Sequence, residues 1–216
     1  MKDLRICFRC VLYVIVLACF FPAAAESYDN FFTAIKRNHR HTIEALLQRG
    51  FDPNSVDENG QPGIIAALLN ESYEVADALA ASDGLQLEAT NRSGETALMM
   101  ASLRGQAALV QRLLRRGAAV NRAGWSPLHY AATASDEASM QLLLAHGAAV
   151  DARSPNGTTP LMMAADYGPS ACVELLLAAG AKVDLQNDLG LTVIDFARQR
   201  GRDRLADRLE QLLHRR

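Results

Sequence analysis

Three stretches of the chain align almost column by column: "GETALMMASLRGQAALVQRLLRRGAAVN", "GWSPLHYAATASDEASMQLLLAHGAAVD" and "GTTPLMMAADYGPSACVELLLAAGAKVD". A fourth, "GLTVIDFARQRGRDRLADRLEQLLHRR", keeps the opening of the pattern. The register is marked by a hydroxyl slot at Thr96, Ser126, Thr159 and Thr192, and two looser copies put Asp29 and Pro62 in the same place. Successive slots lie 33, 34, 30, 33 and 33 residues apart. A period of this length constrains the fold more than any other feature. It calls for a row of small, similar units stacked on one another, not for one globular core.

The unit itself reads as two short helices. In "TPLMMAADYG", Leu161, Met162, Ala164 and Ala165 give a first helix an apolar face of small residues. Pro160 suits its first turn, where a missing N–H costs nothing. Gly168 ends it, and a second helix begins at Pro169 and Ser170 and carries Cys172, Val173, Leu175, Leu176 and Leu177 before Gly180. Neither helix buries its face alone, so stability must come from stacked neighbours. Aromatic residues are only 6% of the chain, so the core has to be built from Ala and Leu.

A period of 33 with T-P-L-H near the start, a central Gly and L-L-x-x-G-A near the end resembles the ankyrin repeat. The resemblance covers about residues 28–216 and is strongest in "SPLHYA" with "LLLAHGAAVD" and "TPLMMA" with "LLLAAGAKVD". It implies an all-α solenoid of helix-turn-helix units joined by short β-hairpin fingers. About six units are expected, including degenerate caps: approximately 28–57, 58–91, 92–121, 122–154, 155–187 and 188–216. The finger before Trp125, "VNRAGWS", is three residues short of its counterpart "VDARSPNGTT", which should blunt its tip.

The N-terminus has the layout of a secretory leader. "MKDLRICFR" carries Lys2, Arg5 and Arg9, "CVLYVIVLACFF" supplies twelve apolar residues, and Ala23 and Ala25 occupy an A-x-A site. Residues 1–25 are therefore expected to be a signal peptide cut before Glu26, with residues 26–216 as the repeat domain. A spanning anchor would need about 20 apolar residues. An alternative is a lipid anchor on Cys19 in "VLAC". Cleavage removes Cys7, Cys10 and Cys19 and leaves Cys172 without an internal disulfide partner. It also removes three basic residues and one acidic one, so the formal charge moves from -2 to -4. That balance argues against nucleic acid as a partner. The last 19 residues run the other way: seven Arg against three acidic residues read as a solubilising cap, with Leu205, Leu209, Leu212 and Leu213 facing inward.

No catalytic set is present. A phosphate loop, GxSxG and HExxH are all missing from the sequence. His39 and His41 form an H-x-H pair, but His39 stands where the resemblance often places a structural His, so no metal and no cofactor are expected. His129 in "SPLH" is expected to hydrogen-bond neighbouring backbone. An enzyme reading would have to use Asp166, Tyr167, Arg104 and His129.

The resemblance instead implies a non-catalytic, monomeric scaffold that binds another protein. The leader places it in the periplasm of a Gram-negative bacterium. It is expected to stabilise or regulate a periplasmic enzyme, such as one of oxidative-stress defence. Alternatives are an immunity or inhibitor protein against a toxin, or an effector sent on to a host cell. In the ankyrin architecture the residue before the hydroxyl slot and the two before the helix-ending Gly face the partner. Here these are Gln61, Glu95, Trp125, Thr158 and Leu191, with Leu103, Arg104, Thr133, Ala134, Asp166, Tyr167, Gln199 and Arg200. The only Trp of the chain is expected at the centre, with Arg104 and Tyr167 beside it. The competing expectation is that Trp125 folds back over the shortened finger.

Overall fold

A computed structural model describes residues 26–214. The expected leader and the last two arginines lie outside the described residues. Helices follow one another in pairs: α1 (residues 26–36) with α2 (Arg40–Gln48), α3 (Gly63–Leu69) with α4 (Tyr73–Ala81), and α5 (Ala97–Leu103) with α6 (Ala107–Arg115). The row continues with α7 (Pro127–Ala134) and α8 (Glu137–Ala145), α9 (Pro160–Tyr167) and α10 (Ser170–Ala178), and α11 (Val193–Gln199) and α12 (Asp203–His214). First helices pack in the order α3, α5, α7, α9, α11, and second helices in the order α2, α4, α6, α8, α10. This is the helix-turn-helix solenoid expected from the period. No helix among the described residues is long and apolar enough to cross a membrane.

The hydroxyl slot is a helix N-cap. Thr96, Thr159 and Thr192 sit in extended conformation and accept the N–H of Met99, Met162 and Asp195 through their side chains. Each thereby satisfies a donor that the first turn of a helix otherwise leaves unpaired. Pro62 occupies the slot before α3 and makes no side-chain cap bond, which explains why that unit reads as degenerate. The second helices end on the same geometry in four units: Gly50, Gly117, Gly147 and Gly180 have φ of 85°, 91°, 83° and 91°. Left-handed backbone of this kind favours Gly and lets the next N–H reach back to the helix end.

The core is a continuous apolar seam from Phe31 to Leu209. Leu98, Leu128 and Leu161 stand at equivalent places in successive first helices, and all three are buried. At the N-terminal end an aromatic group takes over. Phe31 packs against Phe32 and Phe51, with ring centroids 5.1 and 4.8 Å apart. Its ring fills the space over Gly63, where a Cβ would lie 2.8 Å from it. The far end is closed by Arg202, which donates to the carbonyls of Ala164 and Ala165 at the end of α9, at 3.1 and 2.7 Å. Cys172 is buried in the seam, and burial pushes its thiol up to about 11.

The fingers are tighter than hairpins. Among the described residues they reduce to turns and two isolated antiparallel bridges, Val56–Pro62 and Thr90–Thr96. Four units share one turn: Asp57, Asn91, Ser154 and Asn187 donate their N–H to the carbonyls of Gln61, Glu95, Thr158 and Leu191 at 2.9–3.1 Å. A second bond in each runs from a Gly N–H, three residues on, back to the first residue. The three-residue deletion falls inside this turn in the fourth unit. Gly124 survives, and the ring of Pro155 in the next finger leans over it, 3.4 Å from where a Cβ would be.

Candidate protein-binding face

The fingers are tied to one another by a second row of bonds. Asn54 accepts the N–H of Gln86 at 2.7 Å, Glu88 that of Ala119 at 2.8 Å, Asn121 that of Ala149 at 2.8 Å, and Asp151 that of Lys182 at 3.0 Å. Asn121 keeps its place in this row despite the deletion that follows it. The start of the blunted finger is therefore anchored, and Trp125 follows four residues later, just before α7.

Trp125 is part-buried, not free in solvent. Its ring stands edge-on to that of His129, with centroids 5.3 Å apart and planes at 80°. With Leu103, Tyr130, Thr133 and Met163 the two rings line an open hollow of about 190 Å³. The hollow spans three units: Leu103 comes from the end of α5, Tyr130 and Thr133 from α7, and Met163 from α9. Its chemistry is apolar and aromatic. A larger hollow of about 510 Å³ lies between α1 and the first finger turn, but it mixes Lys36 with Asp29, Asp57 and Glu58. The smaller one is the better candidate for an apolar anchor, because burying charge without a partner is costly.

His129 forms the floor and is locked. Its Nδ1 accepts the backbone N–H of Ser126 at 3.1 Å and lies 2.8 Å from the Ser126 hydroxyl. A backbone N–H only donates, so the proton sits on Nε2, which donates to the Thr158 carbonyl at 3.0 Å. The imidazole therefore bonds its own unit on one side and the next unit's finger on the other. Burial pushes its pKa down, against the pull of the backbone carbonyls and Ser126. The same slot holds Met99, Met162 and Asp195 elsewhere, and these bond only their own N-caps.

Tyr130 donates its hydroxyl to Glu95 at 2.9 Å, which ties the fourth unit to the turn at the start of the third. Burial raises the Tyr130 pKa, and the neighbouring carboxylate adds to it. The other oxygen of Glu95 accepts from Asn91 at 2.7 Å. Glu95 is thus a structural acceptor at the edge of the face, with both oxygens engaged.

The other expected face residues divide. Leu103 lines the hollow beside Trp125 as placed. Thr158 does not reach the surface: it is 2% exposed, and its tight turn and the bond from His129 hold it inward. Arg104 turns away from Trp125, toward the second unit, where it donates to the Leu69 carbonyl at 3.4 Å and pairs with Glu71 at 3.7 Å. Asp166 is largely covered and is clamped by Arg200, whose guanidinium also lies 5.2 Å from the centroid of the Tyr167 ring. Asp166, Tyr167 and Arg200 so form a second patch, bridging the last two units, with Tyr167 53% exposed. Of the four residues that an enzyme reading would need, Asp166 and Tyr167 share Arg200, whereas Arg104 is held by Leu69 and Glu71, and His129 by Ser126 and Thr158. His41 is exposed and lies 3.5 Å from Glu44, and the described residues contain no group of three or more His, Cys, Asp or Glu able to hold a metal ion.

Sequence reasoning missed Tyr130 and Met163. Both follow the hydroxyl slot by four residues, Tyr130 in α7 and Met163 in α9. That shared register was the available signal, although the equivalent Ala66 and Met100 are buried in the core.

Comparison with known proteins agrees with this architecture. The family profile described as "Ankyrin repeats (3 copies)" matches residues 31–123 and 105–187. Among curated proteins, "Ankyrin repeat domain-containing protein 63" of Homo sapiens is 35% identical over 83 residues, covering 37% of this chain and 22% of the relative. The Mus musculus protein of the same name is also 35% identical over 83 residues, covering 37% of this chain and 21% of that relative. The chain thus spans about a fifth of the length of these relatives. The profile accounts for most of the described helix pairs, and capped first helices, glycine-ended second helices and linked fingers recur along the row: the chain belongs to the ankyrin-repeat family.

Proposed function

We propose that this chain is a non-catalytic scaffold that binds another protein through the face around Trp125. One observation carries the reading. A large ring occupies a place where the neighbouring units carry Gln61, Glu95, Thr158 and Leu191, and it lines an open apolar hollow. Trp, Tyr and Arg are enriched among interface hot spots, and the two aromatics bury large area at low conformational-entropy cost. Trp125 supplies the anchor, Leu103, Tyr130 and Met163 its surroundings, and the Tyr167–Arg200 patch a second contact.

Trp125→Ala is expected to weaken capture of the partner about 30-fold, or about 2 kcal/mol, with little change in melting temperature. Affinity capture with both baits, alongside melting of both proteins, is the measurement. A large loss of melting temperature with capture intact in the folded fraction would mean that the ring serves the blunted finger instead. The captured protein also separates roles: a resident enzyme supports stabilisation or regulation, and a toxin encoded nearby supports immunity.

The proposal places this binding in the periplasm, supported by the charged start, apolar run and A-x-A site of residues 1–25. The exported protein is expected to begin at Glu26. Intact-mass analysis of a periplasmic extract checks this; retention of residues 1–25, or a lipid on Cys19, overturns it.

A further inference from the structure

We infer that Met163 is a selective oxidation site that converts the apolar hollow at Trp125 into a polar one. The chain has six methionines, and Met1 lies outside the described residues. Met99, Met100, Met140 and Met162 are all at most 2% exposed. In two of these the sulfur is also engaged: Sδ of Met99 accepts the N–H of Thr96 at 3.5 Å, and Sδ of Met162 that of Thr159 at 3.4 Å. Met163 is part-exposed and lines the hollow. The described cysteine, Cys172, offers no competing target, because it is buried and its thiol is pushed up to about 11.

The oxidant is a hydroperoxide. The Sδ lone pair of Met163 attacks the distal peroxide oxygen, an S–O bond forms and the O–O bond breaks. The departing oxygen takes up the proton and leaves as water or an alcohol. Sulfur is oxidised by two electrons and the peroxide is reduced by two. The product is a sulfoxide, polar and chiral where the thioether was apolar, and a sulfoxide reductase reverses it. A strong dipole then stands among Leu103, Trp125 and Tyr130. The step concerns the hollow itself and holds whether or not the docking reading above is right.

Trp125 is the only tryptophan, so its fluorescence reports the hollow directly. The chain from Glu26 is titrated with hydrogen peroxide, digested and mapped by mass. Met163 is expected to gain one oxygen before any of Met99, Met100, Met140 and Met162, and Trp125 emission to move to longer wavelength in step. Met163→Leu is expected to abolish the shift, and a sulfoxide reductase to restore the original spectrum in the native chain. Oxidation of Met163 no faster than of the buried four overturns the inference. So does a spectral shift that persists in Met163→Leu, or Met163 oxidation that leaves the Trp125 spectrum unmoved.

Discussion

His129→Ala is expected to destabilise the protein by about 2–4 kcal/mol, the sum of a cavity, of the buried Ser126 N–H left unpaired and of one of the two bonds lost at the Thr158 carbonyl. The Ser126 N–H loses its acceptor, and the Thr158 carbonyl loses a donor from another unit. His129→Met separates the two effects. Met99 and Met162 show that a thioether in this slot accepts the N-cap N–H. The Met variant keeps that bond, loses only the bond to Thr158, and should cost about 1 kcal/mol. Denaturant unfolding of the three proteins gives the series directly. Equal losses for Met and Ala would show that the bond to the next finger, not the cap, carries the effect.

The same residue sets a pH dependence. Burial holds the folded pKa of His129 below its ordinary value of 6.5, so the unfolded chain binds the proton more readily. The stability that neutral His129 contributes is complete above about pH 6.5. It is lost as the pH falls through the folded value, because a proton on Nδ1 would oppose the Ser126 N–H. The native protein should therefore lose stability more steeply than His129→Met on acidification from neutral pH. Parallel curves for the two would remove His129 from the account.

The second large effect is expected at Gly63. The equivalent first-helix positions hold Ala97, Pro127, Pro160 and Val193, so nothing in the helix itself requires glycine. The requirement comes from Phe31, whose ring carbons would lie 2.8 and 2.9 Å from an added Cβ. That ring is fully buried and held by Phe32 and Phe51, so it has little room to retreat. Gly63→Val should cost about 1–3 kcal/mol by overpacking. The loss should be confined to the first two units, whose contact it breaks, because units in a solenoid couple mainly to their neighbours. Hydrogen exchange should show α1 and α2 losing protection while α7 to α10 keep theirs. A smaller residue at Phe31 should recover part of the loss, since the two positions share one space.

The row of helix pairs was legible from spacing alone because the N-cap hydroxyl, the helix-ending glycine and the apolar stripe are each local requirements. Thr96, Ser126, Thr159 and Thr192 announce themselves, and so does the missing segment before Trp125. The face was less legible. Thr158 and Trp125 occupy the same column, yet the turn from Ser154 to Thr158 draws Thr158 inward, whereas the deletion in the fourth unit leaves Trp125 beside α7. Arg104 was expected beside Trp125, but Glu71 and the Leu69 carbonyl in the preceding unit hold it there. Such choices depend on which neighbour a long side chain finds, and a single repeat does not encode its neighbours.

The row formed by Asn54, Glu88, Asn121 and Asp151 has a directional chemistry. In every link the side chain belongs to the earlier unit and the donor is a backbone N–H of the later one. A backbone N–H is the same whatever residue carries it, apart from proline. Each of the first four units thus presents a socket that accepts its successor without regard to the successor's sequence. An array wired in this way tolerates duplication, loss or exchange of whole units, provided that the socket residue and the loop geometry are kept. The junction of the third and fourth units is a case in hand, since the turn after Asn121 is three residues short and Asn121 still accepts the Ala149 N–H. Face residues such as Trp125 are then free to change from unit to unit, because assembly of the row does not depend on them.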